Sequence, residues 1–329
     1  MQVSESDLAC VRKWAGSTTD AILDPSSRIF RVSEAEGLIG YRQENGCAIV
    51  YGDPACPPDQ TESLIKAFHD HCAKENLRVI YLVIGETFAR WLFNHGYCKT
   101  MIEYGEELII DPHDDPRKKE GVRACLVRRK VRHALHEDVS VKEYTTFDPR
   151  IEEGINEAGE RWLKARKGPQ IHFSHVRSFE HREGKRWFYA EKNGRIVGVV
   201  ILSRLERHQG WLMNHLMFVP DAPHGVPELL VVTALEALSK EGCRYVTFGT
   251  VPATQLGEIQ GLGGLSRYFS RRVYSLANTI YHLNGKKKFW EKFDPASTKA
   301  FLSFKDSHIG LKEVVALKKG LNATLISSS

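Results

Sequence analysis

Three residue types with useful chemistry gather in the last third of the chain. Asp221 and His224 share the short stretch Asp221-Ala-Pro-His-Gly225, and His215 precedes it by six residues. An imidazole titrates near neutrality, so His224 and His215 are candidate general bases. A carboxylate at 221 can take a proton, recognise an ammonium group, or cap a following helix. Lys292 closes a segment, residues 284–295, in which Lys286, Lys287 and Lys288 precede Phe289 and Trp290. A lysine ammonium can stabilise a developing oxyanion or hold a phosphate. Asp221, His224 and Lys292 are therefore the catalytic candidates.

The elements that must position them are legible around Asp221. Residues 211–220 form a short apolar run that predicts a buried strand. From Val226 the apolar positions Leu229, Leu230, Val232, Leu235 and Leu238 recur at helical spacing, and Gly242 suits the helix end. Residues 245–248 predict a returning strand that stops at Gly249 and Pro252. A strand, a helix N-terminus and a returning strand form the centre of a fold similar to that of the GNAT acetyltransferases, where the helix N-terminus faces donor phosphates. The loop here has one glycine and begins with an acid, whereas a coenzyme A pyrophosphate wants several consecutive backbone N–H groups. A ligand-free strand–helix turn and a coenzyme A site are both compatible with it. Gly249, Pro252 and Glu258, at and beyond the end of the returning strand, are candidate substrate contacts together with Asn214 and His215.

The first half of the chain carries a similar order. Strands are expected near 29–32, 38–41 and 47–51, with Glu44-Asn-Gly46 as a hairpin turn. A Gly52-Asp53-Pro54 loop, a helix over 60–76, a strand over 78–84, a helix over 88–95 and a strand over 101–110 follow. Asp53 reads as a turn residue. Residues 187–190 and 196–202 repeat the hairpin around Lys192-Asn-Gly194. With 329 residues and 42% hydrophobic content, enough for two ordinary cores, the expectation is an α/β (α+β) chain holding a tandem pair of one fold. The divisions are a first domain over 1–116, a basic linker helix over 117–150 and a second, catalytic domain over 151–329.

That linker is the most charged stretch. Arg117, Lys118, Lys119, Arg123, Arg128, Arg129, Lys130 and Arg132 face few acids, while Cys125, Leu126, Val131 and Leu135 trace part of an apolar stripe. A solvated helix face is one reading; contact with a polyphosphate backbone, RNA above all, is the other. An anionic membrane surface is a rival partner. Net charge is only +5, so the distribution carries the argument. Seven scattered cysteines without a CxxC pair argue for reduced thiols and against structural zinc. The N-terminus lacks the features of a signal peptide, and no apolar run approaches the roughly 20 residues of a membrane span. A cytoplasmic protein, with peripheral membrane contact, is expected.

Taken in order, Gly52-Asp-Pro54, the basic 117–132 segment, 162–172, Pro220-Asp-Ala-Pro-His-Gly225, 248–252 and 284–295 resemble the catalytic domain of phosphatidylglycerol lysyltransferases of the MprF type. The resemblance covers about residues 27–305. It implies tandem GNAT-like domains, an aminoacyl-tRNA donor in place of acyl-coenzyme A, no cofactor and no metal, and a lipid hydroxyl acceptor. It also implies tRNA contacts for Arg123, Arg128, Arg129, Arg132, Lys286 and Lys287. Two departures stand out. Where the family tends to carry an Asp and an Arg before the PDAP-like turn, this chain has Asn214 and Met217, and Trp290 replaces a family Lys while Lys292 is kept. The acceptor is thus open between a glycerolipid such as phosphatidylglycerol, a sterol (as in a fungal branch of the family) and a small soluble hydroxyl or amine. An acyl-coenzyme A-dependent N-acyltransferase and a non-catalytic tRNA-binding pseudoenzyme are the alternatives from other classes.

Overall fold

A computed structural model describes residues 3–166, 176–281 and 284–322; the side chains of Asn214 and Asn284 lie outside that description. In chain order the elements are α1 (Glu5–Trp14), α2 (Thr19–Ile22), β1 (Arg28–Phe30), β2 (Ile39–Glu44), β3 (Cys47–Tyr51), α3 (Thr61–Lys74), β4 (Arg78–Gly85), α4 (Glu86–Asn94) and β5 (Thr100–Ile110). Then come α5 (Val122–His136), β6 (Ser140–Tyr144), α6 (Pro149–Ala165), β7 (Lys185–Lys192), β8 (Arg195–Leu205), β9 (Gly210–Phe218), α7 (Val226–Lys240) and β10 (Val246–Pro252). The chain ends with β11 (Ile259–Gln260), α8 (Gly264–Tyr281), α9 (Asn284–Trp290), β12 (Ala296–Phe304) and α10 (Leu311–Gly320).

Both expected hairpins form, and for the expected reason. Asn45-Gly46 and Asn193-Gly194 all take positive φ, between 49° and 75°. That conformation matches the twist of two antiparallel strands, and Asn and Gly reach it at little cost. After each hairpin a parallel pair is built around a helix: β3 and β4 enclose α3, and β9 and β10 enclose α7. The strands join in one sheet, in the order β1-β2-β3-β4-β12-β5-β10-β9-β8-β7-β6, with β11 beside β5. The β5–β10 pairing welds the two halves. Strand β12 inserts antiparallel between β4 and β5, and α10 then packs under β2 and β3. Residues 296–322, placed along the chain in the second unit, thus pack in space with the first. Tyr51 Oη donates to the Gly320 carbonyl (2.7 Å), and Arg78 pairs with the buried Glu313 (2.6 Å).

Helices cover both faces. On one, α1, α2, α8 and α10 pack over the first-half core around Ile49, Leu82 and Tyr104, and α6 lies on β8 and β9. On the other, α3 and α4 cover Ile39, Val79 and Phe301, while α5 and α7 pack together with Trp290 and Phe293. The expected basic linker helix is α5, whose buried residues Ala124, Val127, Val131 and Ala134 form its inner stripe. Its inner face does more than fill space. Gly225, the residue before α7, has φ +97°, and a Cβ there would lie 1.9 Å from the Lys130 carbonyl oxygen. Helix α5 therefore crosses the N-terminus of α7 in backbone contact. Gly225→Ala combines a strained φ with that clash and should cost about 2–3 kcal/mol of unfolding free energy. Chemical denaturation of the two proteins measures it; an unchanged midpoint would mean the two helices are not in contact.

Candidate active site

The site begins with a strand pair that does not stay paired. Strands β9 and β10 share only Val246↔Trp211 and Thr247↔Leu212. Beyond these, β10 follows β5, and a bulge between Thr247 and Gly249 helps it turn away. The rest of β9, residues 213–218, has β8 on one side and an opening on the other. Gly249 sits at the bend with φ +73°, and its N–H bonds the Thr247 hydroxyl (3.0 Å).

Residues 284–293 cover this opening on the α5/α7 face. Trp290 stacks on Phe248 with ring centroids 4.2 Å apart, and Phe293 is fully buried beside them. Lys292 then reaches Glu228, in the first turn of α7, at 2.6 Å, and both side chains are largely buried. Its ammonium also lies 4.0 Å from the Phe289 ring centroid, a cation–π contact. An anionic side chain at a helix N-terminus is favoured by the helix dipole. Here Glu228 supplies an anionic group from within the chain, with Lys292 as its partner and the Lys130 carbonyl packed against Gly225.

Polar groups meet at the opening from both sides of the sheet. Lys286 projects from α9 on one face. Arg166, at the end of α6 on the other, lies close enough to act on its charge. Lys286 is an exposed residue, yet crowding of its ammonium by the surrounding chain, with the charge of Arg166 second, lowers its pKa to about 8. Burial likewise lowers Arg166, whose guanidinium rests on the Trp162 ring (4.5 Å). On the α1/α2 face, Glu107 of β5 lies 2.7 Å from the Thr247 hydroxyl, with Ser17 and Tyr245 as further hydrogen-bond partners. Burial raises its pKa in spite of them. Asp53 accepts the Gly85 N–H (3.0 Å), which ties the 52–54 loop to the end of β4. Crowding by the surrounding chain still pushes its carboxyl up to about 6, with Glu107 adding to the effect.

The candidates from sequence scatter. Asp221 does not cap α7: the N-cap is Gly225, with no side-chain bond, because the Pro223 turn separates the carboxylate from the helix. It is exposed instead, paired with Arg161 (2.6 Å) and Arg195 (3.3 Å). His224 lies edge-on to His133 of α5. His215 holds Asp20 of α2 at 3.1 Å beside a small cavity lined by Lys185 and Arg177. Asn214 is in β9, with its side chain outside the described residues, as is the 167–172 part of the 162–172 motif. Gly249 and Pro252 pair with β5, and Glu258 pairs with Arg90 of α4 (2.8 Å). Among the basic residues, Arg128 donates to the carbonyls of Arg117 and Lys119 (2.7 and 3.0 Å), Arg123 approaches Asp294, and Lys287 pairs with Glu106. Arg129 and Arg132 are exposed on α5. Sequence alone assigns no role to Glu107 or Arg166, and it marks Glu228 only as a residue suited to the first turn of α7. The two adjacent acids inside the apolar run 101–110 were the visible signal for Glu107.

A hairpin followed by a parallel strand pair around a helix, present twice in one chain, with the second pair parting beside its helix N-terminus, is the tandem GNAT-like acyltransferase architecture. Within it, the chain belongs to the family "Phosphatidylglycerol lysyltransferase, C-terminal", whose profile matches residues 15–304. A phosphatidylglycerol lysyltransferase of Staphylococcus epidermidis is 20% identical over 315 residues, covering 93% of this chain and 36% of that protein. One from Bacillus subtilis is 18% identical over 282 residues, covering 84% and 32%. The chain thus spans about a third of the length of these curated relatives. Two solved structures share the fold. The L-PGS of Bacillus licheniformis has TM-score 0.77 at 16% identity, covering 97% of this chain and 98% of that one. A C-terminal domain assigned to a lysylphosphatidylglycerol synthetase of Agrobacterium fabrum has TM-score 0.76 at 16% identity, covering 98% and 96%.

Two measurements test this geometry. Lys292→Met strands the buried Glu228 carboxylate and should cost about 3–5 kcal/mol, much of it recovered by adding Glu228→Gln; no loss in denaturant midpoint would mean the pair is solvated. Lys286 should lose its proton as pH rises through 8, well before an ordinary lysine near 10.5. Trace acylation followed by mass spectrometry should find it half-maximally reactive near pH 8; a midpoint near 10.5 would contradict the crowding.

Proposed function

We propose that this chain moves an aminoacyl group from aminoacyl-tRNA to a lipid hydroxyl, producing an aminoacyl ester. The observation that carries the donor assignment is the filled N-terminus of α7. Glu228, Lys292 and the Lys130 backbone crowd the first turn of α7, which speaks against an acyl-coenzyme A pyrophosphate there. A tRNA donor has no pyrophosphate to place there and needs an extended cationic face, which α5 supplies through Arg129 and Arg132. The lipid acceptor rests on the family and on the names of the curated relatives.

The donor ester is already activated, so positioning and charge stabilisation suffice. The acceptor oxygen attacks the ester carbonyl carbon, the bond from that carbon to the ribose oxygen breaks, and the ribose oxygen takes up a proton. Lys286, with Arg166 near enough to act on its charge, suits the oxyanion. With a pKa near 8, Lys286 can also accept the proton of the acceptor hydroxyl in its neutral form. Glu107, buried on the other face, suits the donor's α-ammonium. In this reading Lys292 positions the site through Glu228, and Asp221 braces its outer wall through two arginines.

Labelled aminoacyl-tRNAs, incubated with the protein and vesicles of phosphatidylglycerol or of sterol in phosphatidylcholine, test the proposal. Label should enter the organic phase with one acceptor and not with acetyl-coenzyme A as donor; label in neither lipid would sink the transfer reading. For tRNA binding, Arg129→Ala with Arg132→Ala should flatten the log–log salt dependence by about one to two units. An unchanged slope removes α5 as the tRNA face. Arg128 is unsuited to this test, since its loss would also free the 117–119 carbonyls.

A further inference from the structure

Helix α8 is amphipathic the wrong way round for a soluble protein. Polar residues on one side of it bond the fold. The Tyr274 hydroxyl lies 2.7 and 2.8 Å from the carbonyls of Tyr104 and Ala253, Asn278 donates to Thr254 (3.0 Å), and Arg271 donates to Gly257 (2.9 Å). The helix's one buried residue is Asn278. Its large apolar side chains point outward: Leu265 is 72% exposed, Leu276 62% and Phe269 58%, with Val273 and Tyr268 beside them. The spacing 265, 269, 273, 276 places four of them within an arc of about 80° at roughly 100° per residue. Such a stripe on a free surface marks an interaction site.

We propose that this outward face of α8 seats on an anionic lipid bilayer. Charge selects that partner. Helix α8 itself carries Arg267, Arg271 and Arg272 and no Asp or Glu. Arg272 stands at the edge of the stripe, its Nε 3.1 Å from the Tyr268 hydroxyl and its guanidinium over that ring. Apolar residues between arginines suit a helix lying in the headgroup region of an anionic membrane. A second copy seated face to face would oppose the same arginines with no acid to meet them. The position fits as well. The inward bonds of α8 go to Ala253 and Thr254, just past the end of β10, on the face that carries Glu107. A helix held in the headgroups there brings a lipid acceptor to the mouth of the opening; this consequence rests on the transfer reading, whereas the docking itself does not.

Phe269→Asp with Leu276→Asp changes two exposed side chains, and an unaltered thermal melt will verify that the fold survives. In flotation with vesicles of phosphatidylglycerol in phosphatidylcholine, the native protein should bind and the double variant bind about tenfold or more weakly. Arg272→Ala should weaken binding to these vesicles and leave the weaker binding to pure phosphatidylcholine unchanged. Transfer to vesicle lipid should fall in the double variant, while transfer to a dispersed short-chain glycerolipid persists. If the native protein transfers to neither, the acceptor reading fails and flotation still decides the docking. Equal flotation of native and double variant overturns the proposal. So does light scattering that shows a native dimer, dissociated by the double substitution, with no affinity for vesicles.

Discussion

Everything at the centre of this molecule follows from the early parting of β9 and β10. Two paired residues join them, and then β10 leaves along β5. A parted parallel pair exposes backbone groups and an edge inside the sheet, which must be satisfied or covered. The chain meets that need with its own C-terminal half. Trp290 and Phe293 fill the apolar floor against Phe248, and the segment that carries them brings Lys286 and Lys292 to the gap. The opening is thus built from polar groups of both faces, which no continuous sheet would allow to meet.

The buried Lys292–Glu228 pair shows how the fold reuses a general acyltransferase feature. A helix N-terminus is a ready anion site, and here an internal carboxylate takes it, neutralised by an internal lysine. Removing both charges from water is expensive, and such pairs seldom add net stability. What this one achieves is exclusion. Helix α5 adds a backbone contact at Gly225, so the first turn of α7 is hemmed in by groups of the chain itself.

Helices α5 and α8 divide the surface between them. On the α5 side, cations project from an apolar inner stripe; on the α8 side, apolar residues project while polar ones bind the loops beneath. The two lie on opposite faces of the sheet.

Local pattern was enough for much of this. The Asn-Gly hairpins, the strand–helix–strand around 226–240, the basic helix and the order of motifs were legible because each depends on spacing within a few residues: positive φ at Asn-Gly, a 3.6-residue apolar period, a helix-ending glycine. Ordered motifs also reached the family. Tertiary structure alone decided what each charge does. Arg128 and Arg129 are neighbours of one type, yet the first holds two carbonyls and the second is exposed. Asp221 looked like a helix cap but answers to Arg161, 60 residues away, while Glu228, hidden in an apolar helix, takes the helix terminus with Lys292. Strand β12 reads locally like any other strand, and its place between β4 and β5 depends on which edges remain after the rest has folded. Electrostatic partners and strand neighbours are set by distance in space, and distance along the chain does not determine it.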